Sequence, residues 1–109
     1  MTKPPRARSK PTDKQFDLIA KALADPTRMA LLEAIAGEEE ECPCQLLREE
    51  FTILKATISH HIKELVRAGL VDAHKDGQFL HCEVRRDVIE AYTAELLRRA
   101  GGTVKNSVA

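Results

Sequence analysis

The segment from residue 52 to residue 84 restricts the fold more than any other part of this 109-residue chain. In "TILKATISHHIKELVRAGL" apolar residues recur at helical spacing, which puts Ile58, Ile62, Leu65 and Val66 on one stripe and small or basic groups on the opposite face. Directly afterwards, "LVDAH" and "FLHCEV" read as strands on either side of "KDGQ", with Asp-Gly at the centre of the turn. The segment predicts an amphipathic helix followed by a β-hairpin.

Four further helices are predicted around this unit. Helical spacing begins near Thr12, with Thr12 or Asp13 as the N-cap. In "DPT", Asp25 is the N-cap of a second helix that ends at Gly37. A short third helix begins at the cysteines of "ECPCQLL", with Pro43 at its first helical position, and ends near Glu50. The stretch "RRDVIEAYTAELLRRA" forms the last helix, which a glycine pair ends. The predicted fold is therefore mainly α with one small β-hairpin.

A helix-turn-helix followed by a two-stranded wing is a recurrent DNA-binding arrangement, in which the second helix lies in the major groove. The first and last helices carry more apolar surface than one small core covers, so we predict a homodimer that forms through them. The charge pattern agrees with a DNA partner, because the acidic segment 33–50 lies between the basic segments 1–14 and 52–75. These features predict a winged helix-turn-helix protein that binds double-stranded DNA.

Length and composition restrict the remaining possibilities. The chain fits one domain at 13–100, with a flexible basic tail at 1–12 and a flexible tail at 101–109. It has no signal-peptide pattern and no apolar run long enough to span a membrane, so we expect a cytoplasmic protein. Phosphate loops, nucleophile elbows and motif-placed carboxylate pairs are absent, which argues against an enzyme. A thiol-based metal carrier is the rival class, but it would leave the helix-turn-helix and wing without a role.

Three stretches together carry a specific family resemblance. "LADPTRMALLEAI", then "TISHHIKELVRAGLV", then the "DGQF" wing resemble the ArsR/SmtB family of bacterial winged-helix repressors over roughly residues 14 to 98. The resemblance implies a homodimer whose two recognition helices read an inverted-repeat operator. It also implies repression of an operon that contains the protein's own gene, and release when an inducer binds. No cofactor is required for such binding.

The same resemblance assigns the residues that face DNA. Hydroxyl and imidazole groups on the recognition helix would read base edges, while its lysines would hold phosphates. Two residues that flank the wing tip would reach the adjacent minor groove. The candidate DNA-binding residues are Lys55, Ala56, Thr57, Ser59, His60, Lys63, Lys75 and Gln78. His61 lies at the edge of the buried stripe, where a packing role is at least as well supported as contact with DNA.

Cys42 and Cys44 are the candidate metal ligands. The arsenic-sensing branch of the family has a Cys-x-Cys-x-x-Cys motif that binds trivalent arsenic or antimony, and here Leu47 stands at the third position. The third ligand is therefore open, with Cys82 or an outside thiol as candidates. Oxidation or electrophile sensing by the two thiols is an alternative inducer signal, and a third hypothesis is that the thiols are incidental.

The other potential ligands favour structural roles. Cys82 alternates with polar neighbours on its strand and is expected to be a buried wing residue. His74 and His81 lie near the hairpin, where isolated histidines are more often structural than zinc ligands. The family's zinc site in the last helix needs a histidine, whereas this helix offers only Asp87 and Glu90. Zinc sensing at that position is not expected.

Overall fold

The computed structural model describes residues 10–38, 41–51 and 54–102. Within these ranges the chain forms five helices and three short strands, in the order α1 (Asp13–Leu23), α2 (Pro26–Ala36), β1 (Cys42–Pro43), α3 (Cys44–Glu50), α4 (Lys55–Arg67), β2 (Val71–Asp76), β3 (Phe79–Val84) and α5 (Arg86–Arg99). None of the described helices is long and apolar enough to cross a membrane. The predicted tails lie mostly outside the described residues, and the division into one domain and two tails stays a prediction.

The order of helices and hairpin agrees with the sequence prediction, and β1 is an addition to it. β1 pairs antiparallel with β3, which gives a three-stranded sheet in the order β1-β3-β2. Cys42 is the register partner of Cys82, and Pro43 is the partner of His81. Pro43 consequently lies in a strand and at the N-cap of α3, so the prediction that it occupies the first helical position was wrong. The sheet fastens the start of α3 to the wing.

The wing turn is displaced by one residue from its predicted position. Asp76 pairs with Phe79 at the end of the β2–β3 ladder, so the two central residues are Gly77 and Gln78 rather than Asp-Gly. Gly77 has φ 68°, and Gln78 keeps a negative φ. A glycine at the first central position with positive φ only there is the pattern of a type II′ turn, whose twist matches that of the flanking strands.

Side-chain caps start the first two helices as the sequence predicts. The Thr12 hydroxyl accepts a hydrogen bond from the backbone N–H of Gln15 at 3.1 Å. At α2, the Asp25 carboxylate accepts from the N–H groups of Thr27 and Arg28 at 2.8 and 3.1 Å. These bonds, led by the one from Arg28, lower the pKa of Asp25. Each cap satisfies N–H groups that the helix itself leaves without partners.

One hydrophobic core joins the helices to the base of the wing. Each of the five helices contributes apolar side chains to it or to its edge, and the sheet closes one side. Because the inner face of α4 is packed against α2 and β2, the opposite face of α4 is held outward. The largest fully buried side chains are Ile19, Leu31, Ile35, Leu47, Ile58, Leu65, Leu70 and Val71.

Gly69 ends α4 in a conformation that L-residues avoid. It has φ 84°, and the N–H of Leu70 donates to the Leu65 carbonyl at 3.0 Å. A Cβ at this position would lie 3.0 Å from the side-chain nitrogen of Gln15. We expect Gly69→Ala to lower the free energy of unfolding by about 1–2 kcal/mol, measured by chemical denaturation. Gly37→Ala, at φ −74°, is the matched control, and equal losses in both variants would contradict this explanation.

The buried carboxylate of Glu95 binds two arginines at the end of α5. Glu95 is 4% exposed and accepts hydrogen bonds from Arg98 at 2.9 and 2.8 Å and from Arg99 at 2.8 Å. Arg99 also bonds Asp13 of α1 at 3.0 Å and lies 3.8 Å above the Phe16 ring. The two arginines, with Arg98 the larger influence, lower the pKa of Glu95 to about 2. Glu95 therefore orders the arginine that joins α5 to α1.

Acid is expected to weaken this connection. The pKa of folded Glu95 is depressed from 4.5 to about 2, so its stabilising contribution is present above pH 4.5 and is lost as the pH falls towards 2. The wild-type protein should lose more thermal stability over that pH range than Glu95→Gln does. Glu33→Gln, which changes an exposed acid on α2, is the control. Parallel pH profiles for all three proteins would contradict the assignment.

Candidate DNA-binding surface and thiol cluster

The outer face of α4 carries most of the predicted DNA-binding residues. Ile58, Ile62 and Leu65 are buried on its inner face, as the helical spacing predicts. The candidates on α4 lie on the other sides of the helix: Thr57 and Ser59 are half-buried, and the exposed members are Lys55, Ala56, His60 and Lys63. Leu54 precedes the helix without a side-chain cap, and its first turn has no acidic residue. The amino end of α4 thus offers backbone N–H groups to an anion.

Val66 departs from expectation, whereas the burial of His61 agrees with a packing role. Val66 was predicted to lie on the buried stripe, but it is 39% exposed, because α4 and the wing diverge at this point and leave a cavity. His61 is buried, and its Nδ1 has no hydrogen-bond partner among the described residues. His61 also contributes to lowering the pKa of Asp25 at the start of α2. His61 is thus a packed residue and is not available to a ligand on the outer face.

The wing places its predicted residues at the tip of the hairpin. Lys75 and Gln78 are both exposed, on either side of Gly77. Phe79 follows them and is 49% exposed, an aromatic side chain that the sequence reasoning did not single out. The position of Phe79 directly after the predicted turn indicates that its side chain lies at the wing tip. Exposed Arg67, one turn beyond Lys63 on α4, is a further cation on this face and lies outside the predicted site.

All three cysteines meet at the base of the wing. Cys42 lies in β1, Cys44 is the first residue of α3, and Cys82 lies in β3, and each is buried. The Sγ atoms of Cys44 and Cys82 are 3.2 Å apart. Cys42, the register partner of Cys82, directs its Sγ to the Pro43 carbonyl at 3.6 Å. The expectation that Cys82 is buried is confirmed, and its thiol contacts that of Cys44 in the "CPC" motif.

The thiol cluster consists of Cys42, Cys44 and Cys82, and within it the Cys82 thiol favours the protonated form. The hydrogen bond with Cys44, and next to it burial, raises the pKa of the Cys82 thiol well above its ordinary value. Cys42 lies in a strand and Cys44 is the first residue of α3, so the prediction that the helix begins at the cysteines is confirmed for Cys44 and wrong for Cys42. In the described ranges, no three His, Cys, Asp or Glu side chains converge on a point where a metal ion would sit. Ligation by all three thiols therefore needs a rearrangement.

Glu41 links the start of β1 to two histidines of the wing. Its carboxylate lies 3.1 Å from His74 Nε2 and 3.9 Å from His81 Nδ1. The two imidazole rings stack with their centroids 6.0 Å apart. This arrangement holds the segment before the cysteines against the hairpin, which agrees with structural roles for both histidines.

Comparison with known proteins identifies the family. The sequence model of a helix-turn-helix domain family matches residues 23–73. The HTH-type transcriptional regulator YceK of Bacillus subtilis (strain 168), itself uncharacterised, is 34% identical over 68% of this chain and 74% of its own length. The arsenical resistance operon repressor of Staphylococcus xylosus is 41% identical over 59% of this chain and 60% of its own length.

Solved structures agree with these relatives. The ArsR family transcriptional regulator RHA00566 superposes with a TM-score of 0.73 at 26% identity, over 85% of this chain and 94% of its own. A homodimeric winged helix-turn-helix DNA-binding domain from Mycobacterium bovis shares the fold at 19% identity and a TM-score of 0.64, over 93% of this chain and 97% of its own. The family consists of DNA-binding regulators and not of enzymes. The chain belongs to the ArsR family of winged helix-turn-helix transcriptional regulators.

Proposed function

We propose that this regulator is a homodimeric repressor of an operon that contains its own gene, and that an inducer releases it from an inverted-repeat operator. One observation carries the proposal: α4 buries an apolar stripe while its opposite face presents lysine, histidine and hydroxyl groups beside an exposed wing. A surface of this composition suits the major groove, where both phosphates and base edges are within reach. Its site of action is the cytoplasm, where DNA is accessible and thiols stay reduced.

The proposed DNA-binding surface makes two kinds of contact. Thr57, Ser59 and His60 read base edges, since hydroxyl and imidazole groups both donate and accept hydrogen bonds. Phosphates are held by Lys55 and Lys63 and by the uncapped amino end of α4, whose N–H groups favour anions. At the other end of the surface, Lys75 and Gln78 at the wing tip enter the minor groove. Ala56 on α4 allows close approach of the helix to DNA.

The dimer forms through α1 and α5. Leu96 and Leu97 near the end of α5 are 46% and 43% exposed. Exposure of these apolar side chains to water is unfavourable, and packing against a second copy of the chain would bury them. The rings of Phe16 on α1 and Tyr92 on α5 lie with their centroids 4.9 Å apart, so the two helices present one surface. An isologous interface of this kind places the two α4 helices in a two-fold arrangement, which an inverted repeat matches.

Trivalent arsenic or antimony at Cys42 and Cys44 is the proposed inducer signal, with Cys82 as the third ligand. Thiolates select soft and thiophilic ions, and the three cysteines lie close together. The sequence similarity to arsenical resistance repressors supports the same class of inducer. Cys44 starts α3, which packs against α4 and β3, so drawing the three sulfur atoms together shifts both DNA-contacting elements.

Oxidation is a second inducer signal that one observation favours. The 3.2 Å separation of the Cys44 and Cys82 sulfur atoms suits a disulfide between them better than the Cys42–Cys44 pair of the initial hypothesis. Peroxide would take two electrons and two protons from the two thiols and become water as the S–S bond forms. The new bond would tie the start of α3 to the wing.

Fluorescence anisotropy of the reduced protein on labelled duplex DNA tests the proposed function. Duplex from the region upstream of its own gene should bind with an affinity at least about a thousandfold above that for a scrambled duplex. Light scattering of the same sample should report a dimer. Equal affinities for the two duplexes would overturn the proposed repressor, and a specific complex that contains one chain would overturn the dimer.

A further inference from the structure

A cavity of about 360 Å³ lies between α4 and the β2–β3 hairpin. Ile58, Ile62 and Val66, one helical turn apart in succession, form its wall on the α4 side. Ala73 and Leu80 close it from the hairpin, and Cys44 also lines it. This volume is within the range of small-molecule sites, and its lining is mostly apolar. The cavity also explains why Val66 remains exposed on a helix face that is otherwise buried.

The rim of the cavity is cationic. Lys63 and Arg67 lie one turn apart on α4 and both line the opening, together with the hydroxyl of Ser59. No acidic residue is among the lining residues. Neither Lys63 nor Arg67 forms an ion pair in the part of the chain that the structure describes. An apolar pocket with two uncompensated positive charges at its mouth is complementary to a molecule that has an apolar body and an anionic end.

We propose that this cavity is an effector site for a small apolar carboxylate, held with its apolar body between α4 and the wing and its carboxylate on Lys63 and Arg67. The walls supply hydrophobic burial, and the cations supply orientation. The proposed carboxylate chemistry differs from the soft-ion chemistry, although Cys44 belongs to both sites, because the carboxylate needs neither a thiolate nor an exchangeable bond to sulfur.

Occupancy of the cavity opposes DNA binding, a consequence that rests on the proposed function. Ser59 and Lys63 are shared between the rim and the proposed DNA-binding face. A bound carboxylate neutralises cations that would otherwise release counterions from DNA phosphates. By linkage, the factor by which the effector weakens DNA binding equals the factor by which DNA weakens effector binding.

Isothermal titration calorimetry of the reduced full chain with naphthoate tests the site directly. We expect one naphthoate per chain, and about tenfold weaker binding of the neutral isostere naphthamide, because a charge-assisted contact is lost. Ala73→Leu, which fills the cavity, should abolish binding. Lys63→Gln with Arg67→Gln should bind naphthoate and naphthamide alike. Lys21→Gln with Arg86→Gln removes two exposed cations elsewhere and should bind as the wild type does.

The outcomes separate this site from the proposed function. No heat with naphthoate, equal affinity for acid and amide, or undiminished binding by the folded Ala73→Leu variant would overturn the effector site. The surface double variant supplies an answer if Ala73→Leu fails to fold, since its side chains are exposed. Because the titration contains no DNA, it remains decisive even if the chain shows no preference for its upstream duplex. In that case the repressor proposal fails and the effector site is judged by itself.

Discussion

Replacing Ser59 and His60 together by alanine is expected to abolish specific operator binding while the dimer stays folded. Both side chains lie on the outer half of α4, beside the buried Ile58 and Ile62, so their loss leaves the core untouched. Each base contact contributes about 1–3 kcal/mol of discrimination, so losing two in each protomer brings the operator close to non-specific affinity. Anisotropy on operator and scrambled duplexes measures the loss, and circular dichroism with light scattering reports the fold.

Lys63→Gln is the informative comparison for that double variant. A lost phosphate contact should weaken binding to all sequences alike and lower the salt dependence by about one charge per protomer. Lys21→Gln, which changes an exposed cation on α1, is the control for charge alone. Retained preference for the operator in the Ser59→Ala, His60→Ala protein would show that base reading lies elsewhere, with exposed Phe79 and the wing as the next surface to test.

Cys44→Ser is expected to abolish release from DNA by arsenite and to leave the affinity for DNA close to that of the wild type. Cys44 is central to the thiol cluster: it follows the strand that carries Cys42, and its sulfur contacts that of Cys82. Arsenite added to a preformed operator complex should release the wild-type protein at a near-stoichiometric amount, in a reductant that does not itself chelate arsenic. Anisotropy follows the release.

Two companion variants identify the other ligands. If three thiols bind arsenic, Cys42→Ser and Cys82→Ser each lose the arsenite response. If the disulfide is the signal, Cys82→Ser loses release by peroxide while Cys42→Ser keeps it. If neither arsenite nor peroxide releases the wild-type protein from DNA, the thiol cluster has only a packing role. Cys44→Ser would then behave as the wild type does.

Sequence periodicity was sufficient for the parts of this fold that are regular. The helical spacing of Ile58, Ile62 and Leu65 predicted the outward face of α4, because a helix that buries one stripe has one orientation on the core. The exposure of Val66 could not be predicted in this way. It lies at the edge of the stripe, and its exposure depends on how far the wing stands from α4, a distance that no pattern within one helix encodes.

The thiol cluster was the least predictable feature. β1 has two residues, too few for any periodicity, yet its pairing with β3 moves Cys42 out of the helix and puts Cys44 beside Cys82. Thirty-eight positions separate Cys44 and Cys82 in the chain, so only the tertiary fold reveals their contact. The buried Glu95 was missed for a similar reason. A glutamate among arginines in an amphipathic helix is usually solvated, and its burial follows from the way α5 and α1 meet.

Hydroxyl-radical footprinting of the duplex upstream of its own gene is the most direct test of the central claim, that two α4 helices of one dimer read an inverted repeat. The reduced protein should protect two symmetric half-sites whose centres lie about 10 base pairs, or a whole number of helical turns, apart. The Ser59→Ala, His60→Ala variant should protect neither. A single protected half-site, or protection that the double variant reproduces, would contradict the claim.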